Sequence, residues 1–160
     1  MANIEKIEEY FTGIYSNKDE IISKIQKFFH LPREKKKVYG VYEINNEYSA
    51  WFPIVNKNNK TFFNYKKEDD GMFYHKEYNQ NEENYDDLAK IIEDYRLDST
   101  TIKQRLTPVS DVADYITFVR NTENGKLTYD GVYRQIGVLL PSYIKVAEKI
   151  DIGLNSTFEL

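Results

Sequence analysis

The sequence predicts an α+β fold: an N-terminal helical hairpin, an antiparallel β-meander, a central acidic helix pair, and a C-terminal β-hairpin followed by a helix. Three observations carry this expectation. Apolar residues recur every three or four positions near both ends of the chain and between 82 and 95. Between 38 and 75, and again between 115 and 136, β-branched and aromatic residues alternate between turn-forming asparagines, glycines and prolines. Aromatic residues make up 15% of the chain, with 14 Tyr and 9 Phe, enough buriable surface to order 160 residues without disulfides.

The elements follow in order. Ile4, Ile7, Phe11 and Ile14 form one apolar stripe over residues 3–15, with Asn3 as N-cap and Gly13 weakening the far end. Ser16 and Asp19 start a second helix over 18–30, where Ile21, Ile22, Ile25, Phe28 and Phe29 line one face until Pro32 stops it. Val38–Ile44 and Glu47–Val55 pair as strands around Asn45-Asn46, and Pro53 places the second at an edge or a bulge. Thr61–Tyr65 and Gly71–His75 form a second hairpin, completing the meander.

Leu88, Ile91, Ile92 and Tyr95 give helical periodicity over 82–95, with carboxylates in the first turn where the helix dipole favours them. A short helix capped by Asp98 or Ser99 runs to Leu106. Tyr115–Arg120 and Leu127–Ile136 form a hairpin around NTENGK. Pro141 opens a last helix to about Ile150, with Ile144, Ala147 and Ile150 on one side. The whole reads as a single domain, 1–160, with residues 1–32 as a helical appendage on a core of 33–160.

Composition removes several classes of function. There is no cysteine, so thiolate nucleophiles, Cys-ligated zinc, iron–sulfur clusters and disulfides are excluded. The charged N-terminus does not look like a signal peptide, and no apolar run approaches the roughly 18 residues that span a bilayer. A cytoplasmic location is the expectation. Phosphate-cradling loops are absent; Gly125, Gly131 and Gly137 read as turn or bulge positions.

Catalytic constellations are sparse. His30 reads as a helix-end residue and His75 as a half-exposed strand residue beside Asp69, Asp70 and Glu77. Asp114, Glu123 and Asp130, with Lys126, are the candidates for a magnesium-dependent nuclease, but they lack the tight acidic-x-Lys spacing of such sites. No catalytic residue, metal or cofactor is assigned, and an enzyme is the weaker expectation.

Two features suit nucleic acid. Arg33, Lys35, Lys36 and Lys37 lie beside Tyr39 and Tyr42, basic residues next to aromatics. Leu88-Ala89 followed by Thr101–Leu106, with Lys103 and Arg105, is similar to a repressor helix-turn-helix, with the 115–136 hairpin as a wing. The stretch Thr128-Tyr129-Asp130-Gly131-Val132-Tyr133-Arg134 also resembles the YDG signature of the SRA family of modified-base readers, whose fold is a β-barrel. This resemblance covers under ten residues. The rest of that family's glycine- and aspartate-rich pattern is not visible, so no site residue is carried over.

The strongest compositional signal is acidic. Residues 68–95 hold ten carboxylates and two lysines, a net −8 in a chain of net −4. Glu68, Asp69, Asp70, Glu77, Glu82, Glu83, Asp86 and Asp87, with Tyr78 and Tyr85 as anchors, form a predicted partner-binding face. Such an array copies the charge density and flat surfaces of nucleic acid. The expected function is therefore a non-enzymatic, phage-type inhibitor. It would dock this face on the basic surface of a nuclease or CRISPR effector. The alternative is a nucleic-acid-binding protein.

Overall fold

The computed structural model describes residues 4–33, 40–57, 62–67, 71–78, 84–95, 104–108, 114–140 and 142–150. Its helices are α1 (Ile4–Phe11), α2 (Lys18–Phe28) and α3 (Tyr85–Tyr95). Its strands are β1 (Ile14–Tyr15), β2 (Val41–Glu43), β3 (Tyr48–Trp51), β4 (Phe62–Lys67), β5 (Met72–Glu77), β6 (Asp114–Arg120), β7 (Leu127–Leu139) and β8 (Ile144–Lys149). Strands outweigh helices, 42% to 27% of the described residues. The expected α+β arrangement with a central helix pair is thus corrected to a sheet-dominated fold. The strands hydrogen-bond in the order β2-β3-β6-β7-β8-β5-β4, with β1 on β7.

The chain divides into two compact units, the first comprising Met1–Pro53, Ala113–Tyr133 and Ile150–Leu160, the second Ile54–Val112 and Arg134–Lys149. In the first, β2 and β3 form an antiparallel pair, and β3 runs parallel to β6 with Ala50 opposite Ile116. Tyr42, Ile44, Tyr48, Ala50, Phe52, Ile116, Phe118, Leu127 and Val132 face a core closed by Ile7 and Phe11 of α1 and Ile21, Ile22 and Ile25 of α2. The first two helices, expected as an appendage, supply a layer of this core.

Local chemistry sets the helix ends. The α2 N-cap is Asn17, one residue after the expected Ser16. Its side chain accepts from Glu20 N at 3.0 Å, while Glu20 Oε2 accepts from Ser16 N at 2.8 Å. Helix α1 stops at Phe11, and Ile14 leaves the predicted stripe to become strand, 68% exposed. Lys24 joins the two helices. Its ammonium donates to Tyr10 O at 2.7 Å and lies 4.6 Å from the Tyr10 ring centroid.

In the second unit β4 pairs with β5, and β5 with β8, all antiparallel. Phe63, Met72, Tyr74, Leu139, Ile144 and Val146 pack against Leu88 and Ile92 of α3. Asn84 starts that helix, its Oδ1 accepting from Asp87 N at 2.9 Å and its Nδ2 donating to Asp87 Oδ2 at 3.0 Å. The outer edge of β4 is closed at Lys66 by the side chain of Asn56. That amide donates to Lys66 O at 3.1 Å and accepts from Lys66 N at 2.8 Å, as a neighbouring strand would.

Two further elements are corrected. The segment after Pro141 is β8 rather than a helix. Ile144 and Val146 are buried while Lys145 is exposed, an alternation that competes with the helical spacing of Ile144, Ala147 and Ile150. Over six residues periodicity alone cannot separate the two, and pairing with β5 decides. The meander is also broken, because β3 turns to β6 rather than to β4. Of the predicted helix at 98–106 only 104–106 are described, with Gln104-Arg105 helical and Leu106 not.

Candidate functional site

Sheets bury one face of each strand and present the other, so the second face of the first unit's sheet is the place to look for chemistry. Tyr48, Ala50 and Phe52 point into the core, which leaves Ser49 and Trp51 on the reverse face. The parallel register puts Ser49 opposite Tyr115 and Trp51 opposite Thr117. Trp51 and Tyr115 are half-buried, with ring centroids 6.0 Å apart at 60°. Ser49 and Thr117 are buried, and Thr117 Oγ1 donates to Tyr115 O at 3.1 Å.

The hairpin turn aligns β7 with this face. Asn121 N donates to Lys126 O at 2.8 Å, and the side chains of Asn121 and Asn124 each accept a turn amide. Counting back from that bond sets Phe118 opposite Tyr129, and their rings meet at 5.6 Å. One step further places Asp130 beside Thr117. The reverse face therefore carries Trp51, Thr117 and Asp130 in a row across three strands.

The TYDGVYR stretch explains its own pattern here. Tyr129 packs toward the core, its hydroxyl held protonated by burial and by the Glu8 carboxylate beside it. Asp130 lies on the reverse face. Val132 then returns to the core three residues after Tyr129, which a regular strand cannot do. Gly131 absorbs the extra residue with a φ of 134°, a conformation glycine adopts freely. The fully buried Tyr133 then donates its hydroxyl to Asp130 Oδ2 at 2.6 Å.

The side chains on this face are of the kinds that recognise flat, hydrogen-bonding rings. Trp51 and Tyr115 offer stacking surfaces, Asp130 accepts hydrogen bonds, and Ser49 and Thr117 bring hydroxyls to the same face. In the sequence Asp130 stands out as a nuclease carboxylate and as the aspartate of the YDG stretch. Trp51, Tyr115, Ser49 and Thr117 were missed, although the odd-numbered polar and aromatic positions of YITFVR mark a second face.

The nuclease trio does not assemble. Asp114 is buried at the start of β6, and Glu123 is exposed on the turn at its far end, roughly 20 Å of strand away. No cluster of three metal-ligating side chains exists among the described residues. His30 is exposed at the end of α2 with a φ of 56°.

Of the predicted acidic face, Glu68, Asp69, Asp70, Glu82 and Glu83 lie outside the described residues. Asp86 and Asp87 are exposed on α3 and Glu77 on β5. Tyr78 and Tyr85 are half-buried and pack against the second core. Burial first, then Asp86 and Glu93, raises the Tyr85 pKa. Glu93, also on α3, accepts the hydroxyl of Tyr65. Of the basic run, Arg33 is exposed while 34–37 fall outside the described residues, as does Lys103; Arg105 is exposed. Tyr42 is buried in the first core, so it cannot serve as a stacking platform.

His75 is a structural residue with a measurable signature. Its Nδ1 hydrogen-bonds Asn64 Oδ1 at 2.5 Å, and its ring stacks on Phe62 at 5.6 Å. Burial, then the Lys145 ammonium, lowers its pKa to about 4. The unfolded chain thus binds the extra proton from about pH 6.5 downward, and the folded chain only near pH 4. Stability should fall by about 2–3 kcal/mol as pH drops through that window, at 1.36 kcal/mol per unit with some solvent screening. His75→Gln should lose this component, seen by comparing urea midpoints of the two proteins between pH 7 and 4. Equal pH slopes would contradict the assignment.

No protein-family model matches the chain, and no curated protein sequence does. A solved structure does match. "The 5-Hydroxymethylcytosine-Specific Restriction Enzyme AbaSI" is similar at a TM-score of 0.51 with 13% sequence identity. The match covers 94% of this chain and 46% of that one, so the chain spans less than half the length of the enzyme it resembles. At that identity the likeness is one of fold.

Proposed function

We propose that the chain is a DNA-binding module that reads a modified cytosine on the reverse face of its first unit. The observation that carries this reading is the row Trp51–Thr117–Asp130 with Tyr115 beside it. Carboxylates accept from the cytosine amino group, aromatic rings stack on flipped bases, and buried hydroxyls suit a polar 5-substituent. The TYDGVYR segment supplies Asp130, and the fold is shared with an enzyme whose specificity is for 5-hydroxymethylcytosine. A base inside a duplex cannot reach a sheet face, so the target nucleotide must leave the stack.

The test is binding of the purified chain to matched duplexes carrying one cytosine, 5-methylcytosine or 5-hydroxymethylcytosine, read by fluorescence anisotropy at two salt concentrations. A modified duplex should bind more tightly. Asp130→Asn and Trp51→Ala should each reduce that preference by about 1–3 kcal/mol, roughly five- to 150-fold. Identical affinity of the wild-type chain for all three duplexes would overturn the reading.

A second reading, docking of the acidic face on a basic enzyme, is favoured by the exposure of Asp86 and Asp87 on α3. It predicts that Asp86→Lys/Asp87→Lys weakens capture of a cationic protein partner and leaves DNA binding no weaker.

A further inference from the structure

We propose that the second unit carries a separate nucleic-acid contact, a stacking platform built on the Phe62–His75 pair and flanked by Lys145 and Lys66, which takes single-stranded or extruded nucleotides. The inference rests on the reading of the chain as a nucleic-acid binder, but not on the modified-base site.

The argument starts from register. Asn64 pairs with His75, and His75 with Lys145, so these three share the sheet face opposite Phe63, Tyr74 and Val146. Phe62 lies on the same face two residues from Asn64. Its ring stacks on the imidazole at an interplanar angle of 23°, yet stays 39% exposed. A large apolar ring held flat by a partner and open to water is an ordered stacking surface, and its rigidity lowers the entropy lost when a base joins the stack. The imidazole is uncharged at neutral pH, so the pair is a neutral aromatic stack rather than a cation that would hold water.

Charge selects the occupant. The stretch 54–67 holds Lys57, Lys60, Lys66 and Lys67 and no carboxylate. Lys66 and Lys145 share the platform's face, and Lys145 is exposed. Glu77 is the one carboxylate on the described strands of that face. Lys145 stands two strands from β4, roughly 10 Å across the sheet. That distance lets a base lie on Phe62 while the adjoining backbone reaches an ammonium. A cationic, aromatic surface of this kind suits a polyanion of flat rings and repels basic proteins.

The test uses the full chain with two probes, a fluorescein-labelled oligothymidine and the modified and unmodified duplexes above. Phe62→Ala should weaken oligothymidine binding about tenfold or more, since stacking contributes strongly per base. Lys145→Gln should lower the slope of log affinity against log salt by about 0.7, the value for one phosphate contact to a single strand. Both variants replace exposed side chains, and unchanged far-UV circular dichroism will establish that they fold. Modified and unmodified duplexes should lose affinity equally, leaving their ratio intact. If the wild-type chain discriminates modified DNA but neither variant changes affinity or salt slope, the platform is wrong and the base site stands. If the variants weaken binding while wild type shows no discrimination, the base site is wrong and the platform stands. No oligothymidine binding at low salt, or binding of polyglutamate in its place, overturns the platform.

Discussion

Replacing Phe118 with alanine is expected to cost about 3–5 kcal/mol of stability, the range for truncating a fully buried phenylalanine. The side chain has no solvent exposure and sits at the centre of the first unit's core. Its ring meets Phe11 and Tyr15 edge-on at 5.9 and 5.7 Å, Phe52 stacked at 5.9 Å and Tyr129 at 5.6 Å. Those four partners come from α1, β1, the end of β3 and β7, so the cavity would loosen one helix and three strands together. Thermal unfolding should move down by roughly 6–20 °C, at 2–4 °C per kcal/mol for a chain of this size. Phe118→Leu keeps most of the volume and should cost less than about 1.5 kcal/mol. The consequence reaches the candidate site, because Thr117 is the next residue and Asp130 follows Tyr129. A core that cannot fix Phe118 cannot fix the reverse face. Modified-base preference should therefore fall with stability in Phe118→Ala, while remaining near wild type in Phe118→Leu. A loss below about 1 kcal/mol in the alanine variant would show that the core collapses around the gap.

The parts of this fold that were legible in the sequence are those whose physics is local. The turn NTENGK closes as its asparagines and glycine require, with Gly125 at a φ of 73°. The stripe Ile21, Ile22 and Ile25 forms α2, and the 88–92 spacing forms α3. What was illegible depends on partners distant in the chain. β3 pairs in parallel with β6, more than sixty residues on, and no local pattern announces a parallel neighbour. β8 carries both periods at once, and only β5 chooses between them. The same reasoning accounts for the site. An acidic run is visible as composition, so residues 68–95 dominated the reading, whereas Trp51, Thr117 and Asp130 come from three strands and converge only through register. The TYDGVYR stretch was noticed, but its meaning lay in which side chains turned inward. Tyr129 joins the core and Asp130 opposes it by ordinary alternation, and the extra residue at Gly131 then returns Val132 to the core.

Gly137→Ala is expected to destabilise the second unit by about 2–6 kcal/mol, although it adds a single methyl group. Gly137 holds a φ of 157°, outside the range that L side chains favour. A Cβ there would stand 2.8 Å from Thr107 O and 2.9 Å from Leu106 Cβ. The first of these is backbone, which cannot rotate away as a flexible side chain would. Thr107 is also the acceptor and donor of the isolated bridge to Val138, at 3.0 and 2.9 Å. Moving it aside therefore breaks two backbone hydrogen bonds, about 0.5–1.5 kcal/mol each, on top of backbone strain of about 1–3 kcal/mol. Gly125→Ala supplies the control. Its φ of 73° lies near the left-handed helical region that some other residues also adopt, and nothing lies within 4 Å of the added carbon, so its cost should stay near 1 kcal/mol. The difference between the two variants, read from urea midpoints at constant slope, reports the close approach at Gly137 together with its more restricted φ. Equal losses would mean that conformation alone matters and that the 104–108 segment yields to the methyl. A larger loss at Gly137 would identify close backbone approach as the reason this long strand carries a glycine six residues after Gly131.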